Sequence, residues 1–143
     1  MRKDKQVFRE VIMKTILLAL IMTIGLAGVI VANDSETVTL KQGKKKSAAK
    51  GDFTLKFVSV AEDSRCPADA QCVWAGNAVV NVMITDRQGV SKTMAMNTGR
   101  GPAGDQYRGW AIYLTELTPV PKSGSKIKQK AYTATFTIRR LTR

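Results

Sequence analysis

Cys66 and Cys72 are the only cysteines in the chain, and they sit at the mouth of an alternating apolar run. The stretch from Glu62 to Val82 reads EDSRCPADAQCVWAGNAVVNV. It is turn-rich up to Gly76 and then alternates, so it reads as a short loop mounted on the start of a β-strand. Whether the two thiols join depends on the compartment, and the other end of the chain bears on that.

Residues 1–14 are polar and basic, with Arg2, Lys3, Lys5, Arg9 and Lys14. Residues 15–32 then run without a charge to Ala32, followed by Asn33 and Asp34. A basic lead, an apolar stretch and small residues at its end describe a secretory signal over residues 1–32. Cleavage after Ala32 fits the switch in composition, and Gly25-Leu26-Ala27 offers a second point. An uncleaved inner-membrane anchor through residues 15–32 is the competing reading, since about 18 apolar residues is near the lower limit for spanning a bilayer. Either way the chain is expected to be exported, periplasmic or secreted. Two cysteines beyond an oxidising boundary then argue for a Cys66–Cys72 disulfide. The C-x5-C spacing is neither a thiol-oxidoreductase nor a four-ligand zinc pattern.

Beyond the signal, residues 33–143 hold 18 Lys+Arg against 9 Asp+Glu. The excess suits acidic partners such as anionic lipid headgroups, polyanionic glycans or nucleic acid, and it also keeps a protein soluble; the partner stays open between an envelope polyanion and another protein. There is no specific nucleic-acid signature. Residues 33–51 read as a flexible basic lead-in, with a short strand at Thr37–Leu40. Within it Lys44, Lys45 and Lys46 form a candidate cationic patch.

Residues 52–143 read as one β-domain. Phe53, Leu55 and Phe57 alternate with Thr54 and Lys56, and the phase slips at Val58–Val60, as at a bulge. Ala78, Val80, Val82 and Ile84 share one face of the next strand. Its other face, Val79, Asn81 and Met83, is also largely apolar, which predicts a central strand covered on both sides. Asp86–Gly89 is a hairpin turn, and Val90–Met96 returns from it. After a glycine-rich loop, Tyr107–Leu117 is a strand with Trp110, Ile112 and Leu114 inward, stopped by Pro119 and Pro121. Ala131–Arg140 is the last, with Tyr132, Ala134, Phe136 and Ile138 inward. Six or seven strands and no helical spacing predict an all-β sandwich, with an immunoglobulin-like Greek key as the leading arrangement and a small β-barrel as the alternative.

The words Asp63-Ser64-Arg65-Cys66-Pro67 and Cys72-Val73-Trp74-Ala75-Gly76 resemble a signature, D-S-R-C-P-x4-C-x-W-A-G, of a family of small exported bacterial proteins. Residues 113–121 and 131–136 are similar to that family's last two strands. The resemblance implies export and a single β-domain, and it brings no activity. Where relatives often carry an acidic residue after the glycine, this chain has Asn77, and it lacks their lipid-accepting cysteine.

Read as structure, the motif is a stapled corner. Pro67 stiffens the turn, Asp63 and Ser64 bond backbone amides, and Arg65 pairs with Asp63, Asp69 or a carbonyl. Trp74 covers the disulfide, and Gly76 lets two backbones approach. Read as function, a rigid loop lowers the entropic cost of binding, with Asp69 and Gln71 at its tip as candidate partner contacts. No catalytic constellation emerges. Histidine is absent and no pair of carboxylates is set by spacing. Met94 and Met96, with Met83, have the softness for Cu(I), but methionine on a strand is ordinarily packing. No metal or other cofactor is expected. The function these features suggest is a non-catalytic exported domain that binds or scaffolds at the cell envelope. The alternative is a secreted protease inhibitor presenting the Cys66–Cys72 loop.

Overall fold

Period-two patterning leaves each strand one apolar face to bury, and a pair of sheets can bury those faces against each other. A computed structural model describes residues 13–14 and 35–141 and shows that arrangement. The expected signal or anchor over residues 1–32 lies outside the described residues, apart from Met13 and Lys14. Among the described residues no helix is long and apolar enough to cross a membrane.

Eight strands form among the described residues: β1 (Ser35–Lys41), β2 (Lys45–Ala48), β3 (Phe53–Asp63), β4 (Ala78–Asp86), β5 (Ser91–Asn97), β6 (Gly104–Tyr107), β7 (Trp110–Thr118) and β8 (Thr133–Arg140). They make two four-stranded antiparallel sheets, ordered β1-β8-β7-β6 and β2-β3-β4-β5. The expected sandwich is therefore present. Its strand order is two stacked meanders rather than the interleaved immunoglobulin order, with β1 the one strand placed out of sequence beside β8.

The inward rows meet in one core. Leu55, Phe57, Val80, Val82 and Ile84 from one sheet oppose Val38, Ile112, Phe136 and Ile138 from the other, each fully buried. Phe57 and Phe136 cross it edge to face, centroids 6.5 Å apart, a geometry favoured by the ring quadrupoles. The phase slip in β3 is a real irregularity, with register shifts at Phe57/Ser59 and Val60/Glu62.

Three expectations are corrected. The lead-in of residues 33–51 is not a flexible arm: it supplies β1 and β2, each pairing in register along its length. Strand β4 is central in its sheet but covered on one face only, because Val79, Asn81, Met83 and Thr85 remain partly exposed. The strand expected from Tyr107 to Leu117 is interrupted at Arg108-Gly109, where both residues take positive φ and a hairpin links β6 to β7. Gly109 explains the ease of that turn, which the apolar pattern around it conceals.

Candidate functional site at the loop end

Strands β3, β5 and β7 all finish at the same end of the sandwich. The loops of residues 64–77, 98–103 and 119–132 gather there, joined by hydrogen bonds. Asp63, the last residue of β3, is the hub. The Arg65 guanidinium grips its carboxylate with two bonds, from Nε at 2.8 Å and Nη2 at 2.7 Å, and the two side chains are only 12% and 9% exposed. The Tyr132 hydroxyl donates to the same carboxylate at 2.9 Å. Arg65 also donates to the carbonyls of Leu117 and Pro119, fastening the cysteine loop to the end of β7.

These contacts set the charge state of the hub. Burial pushes the Asp63 carboxyl up, but the hydrogen bonds from Arg65 and Tyr132 and the guanidinium charge prevail and hold it below the usual range. Tyr132 moves the other way. Burial, and then the adjacent Asp63 carboxylate, push its hydroxyl up to about 12.

The disulfide joins Cys66 to Cys72. Its loop is held on both flanks. Cys66 N–H donates to the Ala75 carbonyl at 2.8 Å, and Ser64 N–H to that of Asn77 at 2.7 Å. Gly76 sits at φ +73°, and any Cβ there would run into the Ser64 carbonyl oxygen and the Arg65 backbone. Only glycine fits that approach. Ala68 N–H donates to the Pro121 carbonyl at 2.9 Å. Asp69 accepts from the Ser123 N–H at 2.8 Å, a bond that lowers its carboxyl pKa. On the other side, the Asn77 side chain accepts from Gly99 N–H at 2.9 Å and donates to Asn97 at 2.7 Å.

Within the motif, the Asp63 and Arg65 side chains, the Ser64 and Cys66 N–H groups and the close approach at Gly76 tie the corner together, and Ala70 N–H closes a turn onto the Pro67 carbonyl. Trp74 stands apart from that corner. It is 61% exposed, and Val73 is as exposed as in an extended chain, at 105%. The indole lies beneath the Arg100 guanidinium, 4.4 Å from the ring centroid, instead of forming a buried lid on the disulfide. The loop tip is also shifted. Gln71 is exposed as expected, but Asp69 is tied to the neighbouring loop, so the free face runs through Val73 and Trp74. Val120, 50% exposed between two prolines, stands at the same end.

The other candidates disperse. Lys45 faces Lys56 across the β2–β3 ladder, whereas Lys46 faces buried Leu55 and so lies on the opposite side of β2, and Lys44 is in the preceding turn. The three lysines do not form one patch. Met94 and Met96 turn into the core, and Met83 is on the other face of β4 beside Thr93, so their sulfurs do not converge.

Sequence reasoning missed Arg100, Val73 and Val120. Arg100 is the only charge in its glycine- and proline-rich loop, and that isolation was the available signal. Comparison with protein-family models, curated proteins and solved structures returns no match.

Proposed function

We propose that the protein is a non-catalytic exported domain that binds at the cell envelope through its loop end. The observation that carries this reading is the display of Val73 and Trp74 in solvent on a loop that is otherwise pinned by the disulfide, by Gly76 and by Arg65. Large apolar side chains held rigidly in water are a recurrent feature of contact surfaces, because binding them costs little ordering entropy. The disulfide is compatible with an oxidising, exported location, and the signal-like residues 1–32 and the motif resemblance point the same way. The non-catalytic reading draws support from the engagement of Asp63 and Asp86, each held in several hydrogen bonds within the domain.

Inhibition of a protease is the second reading, favoured by the rigidity of the Cys66–Cys72 loop. The Ala68 N–H bond to the Pro121 carbonyl and the bond that the Asp69 carboxylate accepts from Ser123 N–H weigh against it, since a protease-binding loop needs its tip free. Photo-crosslinking tests the leading reading. A photoreactive residue at Val73 is expected to crosslink to envelope components in living cells. One at Val90, which is 55% exposed in the β4–β5 turn at the opposite end, is expected not to. Equal yields at the two positions, or none at Val73, would overturn it.

A further inference from the structure

The charge carried by the loops at this end narrows the partner. The loops of residues 64–77, 98–103 and 119–132 carry six basic residues and one acid, Asp69. Arg65 is consumed by Asp63, and Arg100 lies on Trp74. The remaining four, Lys122, Lys126, Lys128 and Lys130, are all exposed, and none enters an ion pair among the described residues. They belong to the connection that bonds directly to the disulfide loop through Pro121 and Ser123. Val120 stands two residues before the first of them.

Resting on the envelope-binding reading, we propose that this end docks on an anionic phospholipid bilayer. Val73, Trp74 and Val120 enter the headgroup layer, and the four lysines and Arg100 face the lipid phosphates. Protein interfaces are depleted in lysine at their centres. A tryptophan and aliphatic side chains displayed at the same end as exposed lysines are instead what a membrane surface selects, since the indole suits the headgroup level and flexible ammonium groups suit a diffuse negative field. Each lysine near an anionic leaflet is worth roughly fivefold in partitioning. The pinned loop base adds the second requirement, because no backbone ordering accompanies insertion.

The test reads residue 74 itself, so that the apolar residues 15–32 of the full chain cannot mimic the result. Full-length protein is mixed with vesicles of phosphatidylglycerol and phosphatidylcholine, or of phosphatidylcholine alone, and Trp74 emission is followed. The signal of Trp110, which is only 4% exposed, is subtracted with a Trp74→Phe variant. The expected result is a blue shift, with quenching by headgroup-proximal spin-labelled lipid, on anionic vesicles only. High salt reverses it, because exposed charges are screened within about 3 Å at 1 M. Replacing Lys122, Lys126, Lys128 and Lys130 by Gln weakens binding by more than about tenfold. Trp74 emission that stays solvent-like on anionic vesicles, or shifts equally on neutral ones, overturns the proposal. If Val73 still crosslinks to an envelope protein in cells, only the lipid assignment falls. If those crosslinks are absent too, the envelope-binding reading falls with it.

Discussion

Arg100 lies over the indole of Trp74 at 4.4 Å, and both side chains stand in solvent at the rim of the disulfide loop. The chain's other tryptophan makes the contrast. Trp110 is buried at the start of β7, with its Nε1–H on Asp52 at 3.1 Å and Arg140 5.4 Å from its ring centroid. One indole belongs to the core and the other to the surface. That difference separates what holds the domain together from what it presents.

The hub beneath the loop is expected to be costly to disturb. Arg65→Ala strands the Asp63 carboxylate in a largely buried site, and breaking such a pair from one side costs about 3 kcal/mol. Gly76→Ala adds a left-handed backbone penalty of about 1–2 kcal/mol to the clash with Ser64. Urea titration checks both; midpoints equal to that of the parent chain would show that the hub is dispensable.

The same hub predicts a stability profile with two falling edges. The Asp63 carboxyl is lowered in the folded state, so its contribution is present above the ordinary aspartate pKa and is lost as the pH falls through the folded value. The Tyr132 hydroxyl is raised to about 12, so its contribution is present below the ordinary tyrosine pKa of about 10 and is lost as the pH rises from there towards 12. Tyr132→Phe is expected to flatten the alkaline edge and to cost about 1 kcal/mol at neutral pH, the scale of one hydrogen bond. An unchanged alkaline edge in that variant would assign the loss elsewhere.

Export and oxidation are expected together. N-terminal sequencing of exported protein should begin near Asn33 or Gly28, and its mass after alkylation should change only if it is first reduced. The double Cys66→Ser, Cys72→Ser variant should lose about 2 kcal/mol, the entropy scale of so short a closed loop. Full-length chain confined to the membrane fraction would favour the anchor reading, and free thiols in the exported form would remove the disulfide.

Much of the sandwich was legible because burial follows the period-two pattern. Phe53, Leu55 and Phe57, then Ala78 to Ile84, then Tyr132 to Ile138, fall inward as the alternation requires. Strand β2 was hidden by its composition. Lys45, Lys46 and Ser47 look like solvated loop, yet an edge strand gains its place from backbone pairing with β3 and needs little apolar surface. The site was half legible. Asp63, Arg65 and Gly76 have short-range roles that residue chemistry reveals, whereas the setting of Trp74 depends on where the loop of residues 98–103 folds back, which local spacing does not encode. A tryptophan beside a disulfide is ordinarily buried, and here the Arg100 loop offers a flat cation in place of a pocket.

The most direct measurement is the denaturant midpoint of Trp74→Ala. Displayed in solvent, Trp74 contributes little beyond its contact with Arg100, so the variant should lose no more than about 1 kcal/mol while its envelope crosslinks from position 73 disappear. A loss of about 3–5 kcal/mol, the cost of emptying a large aromatic site in a core, would mean that Trp74 is packed and would contradict the assignment of this end as a contact surface.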